Sequence, residues 1–551
     1  MPESPPSLRS SQLSAANNQH ETHSNVSASH SEEVLGPYGL MKSHQVTLIA
    51  IGAAINTGLT IGAGNALAMA GPAPLLISYT VVGVLVYQVL CALGEVASAL
   101  PEPSTVAGSA DRYYHPALGF TLEWIYWLKH LVVIPSQLTA GGLVLAYWLE
   151  TSAANSAIWM TVFLAVIIAA NYWSSPFLGH YEFYLSSFKI LVVTGLIILS
   201  LILALGGGPD RQRKGFQYWN DPGAFAGDAT AFARLRAICR AVPSATFAYL
   251  GCELVGIHIL HTRNPRRAAV HGIKLTFYRI LAFNIVAVTL LGMLVPHDTA
   301  SLSVSAHGRQ AVTVSAFVVA IESAGVPVLP HILNACLLLF VLSSANYALC
   351  MASRTLYRLS LEGNAHVLLS YANKRGVPIC SLGICSFLAS STYLGVSTDS
   401  RILFNYFVNL VTMFGLLTWM SILVVHIAFV RARQVQHVPD RALVFRAPFG
   451  VFGSWIALAF CILICIVRAF DIFDPDAFPG GFDHWGFITS YFGIPLYLSL
   501  ILGYKIVTRS KRVPPEDVDL QGVKLPLEQV DGAMGYEEED PPSRLWNGWL
   551  L

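Results

Sequence analysis

Residues 52–64 read GAAINTGLTIGAG and residues 247–256 read FAYLGCELVG. Each sits inside a stretch otherwise apolar enough to cross a bilayer, yet neither reads as a regular membrane helix. The first holds Gly52, Gly58, Gly62 and Gly64 with Asn56 among them; the second sets Glu253 between Gly251 and Gly256. Glycine weakens a helix interior, and an ionised carboxylate at mid-bilayer costs roughly 2.5–3.5 kcal/mol on insertion scales. Taken alone, the glycines of the first segment are equally readable as small residues for tight helix packing. The pair points elsewhere. Interrupted helices at corresponding places in two halves of a chain are the pattern of an inverted-repeat transporter, where unwound turns expose backbone N–H and C=O groups and half-helix dipoles hold the two ends of a zwitterion. Unsatisfied backbone in lipid costs several kcal/mol per group, so such breaks persist only around a polar cavity.

Outward from these segments the same solvent is legible everywhere. Of 551 residues 54% are hydrophobic and 12% charged, with a mean hydropathy of +0.56, against about a quarter charged in soluble chains. A bilayer core of about 30 Å needs about 20 apolar residues per helix. About twelve such spans occur, near 45–70, 73–99, 118–148, 157–173, 187–206, 242–261, 277–296, 330–352, 379–396, 403–430, 451–470 and 486–507. The fold class is therefore an all-α polytopic membrane protein. The interrupted spans stand first in each of two five-span halves, with two helices to follow.

A net charge of +1, from 33 Lys+Arg and 32 Asp+Glu, gives no field for nucleic acid, so none is expected as a partner. Cys252, Cys336, Cys350, Cys461 and Cys465 fall inside spans as small packing groups, and no disulfide framework is implied. Cys461 and Cys465, at i and i+4, lack companions to complete a ligand set, which favours packing over metal. No catalytic constellation or cofactor motif occurs, so neither an enzyme nor a cofactor is expected.

Residues 1–43 form a polar tail expected to be disordered and lack a cleavable signal; 44–508 form the transmembrane domain and 509–551 a second polar tail. Cations collect after even-numbered spans, at Arg263, Arg266 and Arg267, at Arg354, Arg358, Lys374 and Arg375, and at Arg431, Arg433, Arg441 and Arg446, with Lys505, Arg509, Lys511 and Arg512 after the last. Asp471, Asp474, Asp476 and Asp483 lie opposite. The positive-inside rule then puts both tails in the cytosol. Segment 207–241, with Arg211, Arg213, Lys214, Arg234, Arg236 and Arg240, runs against it. Asn25, in a sequon, falls on the side where glycosylation does not occur.

Along about 44–522 the chain resembles the fungal amino-acid permeases of the amino acid–polyamine–organocation superfamily. The matching pieces are INTGLTIGAGNAL (55–67), AGPAPLLISY (70–79), LGEVASALP (93–101), HPALGFTLEW (115–124), FAYLGCELVGI (247–257), NPRR (264–267), LPHILNA (329–335), SRTLYRLSLEGNA (353–365), KRGVP (374–378), FNYFVNL (404–410) and VPPEDVDLQG (513–522). The loop GFQYWNDPGAF (215–225) looks like the dicarboxylic branch. The resemblance implies a LeuT-type fold of five plus five inverted repeats and two further helices, working as a proton-coupled importer. It implies that the backbone of Asn56, Thr57 and Gly58 takes the substrate carboxylate, and that carbonyls of Phe247, Ala248 and Leu250, next to Gly251, take its ammonium. Tyr249 or Phe247 would cover the site.

Four groups of charge at membrane depth carry two readings each. Lys189 is either a snorkelling cation or, as the resemblance implies, the proton-linked group standing where sodium-driven relatives hold their ion. Glu253 is a proton relay or a buried hydrogen-bond anchor. Glu95 is a satisfied carboxylate at the cytosolic end of the second span or a functional one. In the third span Glu123, Trp127, His130, Ile134 and Gln137 share a helix face beside Lys129. Either Lys129 and His130 complement a substrate's side-chain carboxylate, with His130 and Gln137 lining the site, or Glu123 and His130 neutralise each other.

The chain departs from the family pattern at Asn56 for glycine, Thr60 for an aromatic, Cys252 for a hydroxyl residue and Gln137 for a carboxylate; the last argues against basic substrates. The expected function is a proton-coupled amino-acid permease of the plasma membrane for acidic or neutral L-amino acids. The alternative is a transporter-like receptor that binds amino acids without moving them efficiently.

Overall fold

The computed structural model describes residues 48–49, 51–52, 55–99, 106–149, 153–173, 178–209, 211–227, 230–254, 265–299, 315–394, 400–440, 443, 445–473 and 482–520, with backbone alone at 153–156, 178–180, 265–276, 279–280, 471 and 473. The N-terminal tail with Asn25, the side chains of 263–267, Arg441, Asp474 and Asp476, and residues 521–551 fall outside them.

The described chain is helical. Its main helices are α1 (Gly58–Ala70), α2 (Pro72–Ala99), α3 (Val106–Tyr113), α4 (Pro116–Leu145), α5 (Ala153–Trp173), α6 (Leu178–Ala204), α7 (Ala231–Tyr249), α8 (Pro265–Leu294), α9 (Ala316–Ser323), α10 (Leu329–Leu361), α11 (Ile379–Ala389), α12 (Ser400–Val435), α13 (Gly450–Val467), α14 (His484–Tyr491) and α15 (Gly493–Thr508). Among the described residues six of these are each long and apolar enough to cross a membrane, and seven if α14 and α15, bent by 40°, form one span. The other expected spans coincide with shorter apolar helices at Gly58–Ala70, Ala157–Trp173, Leu281–Leu294 and Ile379–Tyr393, and with α7, whose first turns carry Arg234, Arg236 and Arg240.

Local chemistry sets the helix ends. Gly71 takes φ +92°, turning the chain between α1 and α2 where Pro72 begins the next helix. His115 caps α4, its Nδ1 accepting the Ala117 N–H at 3.0 Å, and Thr230 caps α7 through the Ala233 N–H at 3.2 Å.

Several boundaries differ from the expected ones, and two show the reason. α6 begins nine residues before the expected 187 because Glu182 and His180 depress the hydropathy of a segment that is nevertheless helical. α7 likewise begins in the arginine-bearing stretch read as loop, so Arg234, Arg236 and Arg240 ride on a helix. The short helices α3 and α9 were not expected at all.

α12, 36 residues long and mostly buried, runs through the centre of the bundle. Leu191 of α6 is 69% exposed and Phe452 of α13 is 74% exposed, a pattern suited to lipid. The start of the C-terminal tail is packed rather than free. Val518 and Leu520 are buried with Tyr113 of α3 and Phe429 of α12, and Gln436 donates to the Val518 carbonyl at 2.6 Å.

Candidate functional site

The chain breaks twice at the centre, and the breaks touch. Ahead of α1, Ile55 and Asn56 leave helical geometry, and after the helical Thr57 α1 opens with a π-type turn over Gly58–Gly62. Such wide turns leave carbonyls off the ordinary ladder, and side chains from three other segments take them up. Tyr79 Oη donates to the Gly58 carbonyl at 3.2 Å, Ser315 Oγ to that of Thr60 at 2.7 Å and Ser244 Oγ to that of Gly62 at 3.1 Å. A Cβ on Gly58 would lie 2.5 Å from the Ala248 Cα, so α1 meets α7 backbone to backbone and only glycine fits.

The second break follows α7. Leu250 is extended at φ −63°, ψ 134°, and Gly251 takes φ +102°, a left-handed conformation that favours glycine. Glu253 then folds back over the turn. One carboxylate oxygen, Oε2, accepts the Gly251 N–H at 3.0 Å and the Trp419 indole N–H at 3.3 Å; Oε1 pairs with the Lys129 ammonium. Glu253 and Lys129 are both buried, so two charges and two further donors close this break.

Asn56 joins the breaks. Its Nδ2 donates to the Phe247 carbonyl at 3.0 Å and to the Leu250 carbonyl at 2.8 Å, while its Oδ1 accepts the Gly58 N–H at 2.8 Å. Of the groups expected to hold an amino acid, the Gly58 amide and the Phe247 and Leu250 carbonyls are thus brought within reach of one small side chain. Gln137 reaches the same place, with Nε2 donating to Thr57 Oγ1 at 3.0 Å and Oε1 buried without a hydrogen-bond partner.

Other expected residues fall elsewhere. Tyr249 points into α2, beside Gly83 and 6.1 Å from Tyr79 ring to ring, whereas Phe247 stands edge-on to Phe404 at 6.3 Å. His130 turns its Nδ1 to the Tyr126 carbonyl of its own helix, 2.9 Å away. Glu123 lies 3.3 Å from Arg358, not on His130. Neither reading of this face survives unaltered, because Lys129 and Glu123 have each found a partner on another helix.

Lys189 is 2% exposed in the middle of α6, which begins two turns earlier than hydropathy suggested, so its ammonium is packed inside the bundle. It interacts electrostatically with the buried Glu182 one face-repeat away, itself accepting from Ser343 at 3.3 Å. Ser186, between them, packs against Gly52, where a Cβ would collide with it. Glu95 is a satisfied carboxylate. It accepts the Ala447 N–H at 2.8 Å, lies 3.2 Å from His426 Nε2 and has Arg433 at 3.9 Å. Cys461 and Cys465 are buried and unbridged, and no group of metal-ligating side chains occurs among the described residues.

The residues missed in the sequence are Tyr79, Ser244, Ser315 and Trp419. Only Trp419 carried a signal, since a buried indole N–H in an apolar span must find an acceptor.

A membrane bundle with two interrupted helices meeting over opposed backbone donors and acceptors is the architecture of a secondary transporter. The chain belongs to the amino acid permease family, whose family model matches residues 45–514. It is 40% identical to the dicarboxylic amino acid permease of Saccharomyces cerevisiae over 506 residues, 91% of this chain and 82% of that one. It is 38% identical to an uncharacterized amino-acid permease of Schizosaccharomyces pombe, covering 87% and 91% of the two chains. The proline-specific permease of Saccharomyces cerevisiae is 34% identical over 92% of this chain and 79% of its own. The protein is an amino-acid transporter, not an enzyme.

Proposed function

We propose that this permease imports acidic or neutral L-amino acids across the plasma membrane with a proton, its tails in the cytosol. The carrying observation is the meeting of the Gly58 N–H with the Phe247 and Leu250 carbonyls around one carboxamide. The amide, at the positive N-terminal end of α1, takes a substrate carboxylate; the carbonyls, at the negative C-terminal end of α7, take its ammonium. Thr57 and Gln137 flank the carboxylate, Ala248 and Gly251 shape the approach, and Phe247 covers the site. With Lys129 held by Glu253, a substrate carboxylate side chain is left to be met by polar groups such as Gln137 and His130. Likeness to a dicarboxylic permease supports acidic substrates.

Lys189 carries the proton in this reading. It is buried on the α6 face that packs on the N-terminal half of the first span, so a change in its protonation is felt at the break. Glu253 acts as the brace of the second break. The filling of the site by Asn56 also favours the receptor alternative. Uptake of labelled Glu, Asp and neutral amino acids in a permease-deficient yeast strain, with and without a proton uncoupler, separates the two. Uncoupler-sensitive uptake is expected; none from a chain correctly placed at the surface would leave the receptor. Lys189→Met should abolish the dependence of uptake on external pH.

A further inference from the structure

The chemistry of the Asn56 contacts goes beyond a packing detail. A carboxamide carries two N–H donors and one carbonyl acceptor on a single carbon. A zwitterionic amino acid carries N–H donors and carboxylate acceptors two carbons apart. Asn56 aims its donors at two carbonyls at the C-terminal end of α7 and its acceptor at an N-terminal amide of α1, so its dipole lies in the field of both half-helices as the substrate's would. Four other backbone groups of the two breaks are already answered by side chains. The Gly58, Thr60 and Gly62 carbonyls are held by Tyr79, Ser315 and Ser244, and the Gly251 N–H is held by Glu253. Asn56 occupies a portion of the backbone that these staples do not hold.

Resting on the reading of the site given above, we propose that the Asn56 carboxamide is an internal surrogate substrate. It fills the amino-acid site of the empty protein, holds the interrupted helices together, and must swing out before substrate binds. Exchange is feasible because the incoming hydrogen bonds are charge-assisted, roughly twice as strong as the neutral ones they replace. The effect on affinity follows from competition. If the open form is a minority, the apparent affinity for substrate is reduced by the fraction that is open. Asn56 therefore lowers the apparent affinity of the empty permease for substrate, and it selects for substrates bearing both an ammonium and a carboxylate, since either alone displaces only part of the contacts. Close to the site, Gln137 Oε1 is buried without a hydrogen-bond partner.

The test is uptake kinetics of Asn56→Gly and Asn56→Ala beside the unmodified full chain, each normalised to surface level. Glycine restores backbone freedom, alanine keeps a Cβ, and both remove the carboxamide, so a change common to the two belongs to that group. The expected result is a fall in KM of about tenfold in both, equivalent to about 1.4 kcal/mol, with the maximal rate retained or raised. Uptake gained by the variants from an unmodified chain that takes up nothing would support the same conclusion. KM unchanged or raised in both variants overturns the surrogate while leaving transport intact. Failure of both variants to fold or reach the surface also overturns it, assigning Asn56 to structure alone. Absence of uptake from all three chains at normal surface level overturns the substrate reading of the site and the surrogate together.

Discussion

The two breaks at the centre of the bundle are closed by different chemistry. Behind α7, the turn is fixed by a left-handed glycine and by a carboxylate that answers an ammonium, an indole and a backbone amide. Before α1, the hydrogen bonds found among the described residues come from neutral groups, among them the Asn56 and Gln137 carboxamides and the hydroxyls of Tyr79, Ser315 and Ser244. Removing one member of a buried ion pair strands a charge, whereas releasing a neutral hydrogen bond costs about 1 kcal/mol. One break is built to stay; the other is built to be exchanged. An alternating-access transporter needs both, a rigid frame and a surface that a ligand can re-make.

The difference is largest at Lys129 and Glu253. Lys129→Met and Glu253→Gln should each destabilise the protein by about 3–5 kcal/mol, the cost of breaking a buried pair from one side. The double variant should recover much of that loss. Thermal unfolding of the detergent-solubilised full chain, followed by fluorescence-detected size exclusion, reads this directly. Additive losses would mean that the two charges do not stabilise one another and that Glu253 holds the second break through Gly251 and Trp419.

Much of this contrast was legible in the residues, and the boundary of what was not is physical. Glycine clusters and a carboxylate within apolar runs located both breaks, because their pairing at corresponding places of two halves fits interrupted helices better than packing alone. Asn56 stood out as a departure from the glycine of the family pattern. Partnership across helices was illegible. The face with Glu123, Lys129 and His130 predicted that something polar lay opposite, but whether it was substrate, Glu253 or Arg358 depends on how α4 meets α7 and α10, which no local period encodes. Lys189 was misplaced for another reason. Hydropathy locates the apolar part of a helix, and α6 continues through Glu182, which is made tolerable by Ser343 on α10. The hydroxyl staples were silent because Ser and Tyr occur in membrane helices for many reasons, and a bond over 255 residues of separation, as from Ser315 to Thr60, leaves no pattern.

Glycine substitutions probe the comparison at intermediate strength. Gly251→Ala forces a left-handed backbone on a residue with a Cβ, at about 1–3 kcal/mol, and should lower the melting temperature with little change in KM. Gly58→Ala has an ordinary backbone but puts a Cβ 2.5 Å from the Ala248 Cα, which must separate α1 from α7. Its cost in stability is of similar size, about 1–3 kcal/mol, but it should appear mainly as lost uptake, since the amide and carbonyls are pushed out of register. If Gly251→Ala impaired uptake while leaving the melting temperature intact, the second break would be mobile in the cycle and the division of labour would fail.

The smallest effect is expected at Tyr79. Tyr79→Phe deletes only the hydroxyl that donates to the Gly58 carbonyl and leaves the ring packed against Tyr249. Interhelical hydrogen bonds in membrane proteins average about 0.6 kcal/mol, so unfolding should shift barely beyond error. The Gly58 carbonyl belongs, however, to the residue whose N–H meets Asn56. Freeing it loosens the peptide next to the exchangeable contact, and the variant should change KM by a factor of about 3, consistent with that energy, while Ser244→Ala, acting one turn further along α1 at the Gly62 carbonyl, should change it less. Equal responses from the two would indicate that the π-type turn moves as a unit, and would extend the exchangeable region from one side chain to the whole first turn of α1.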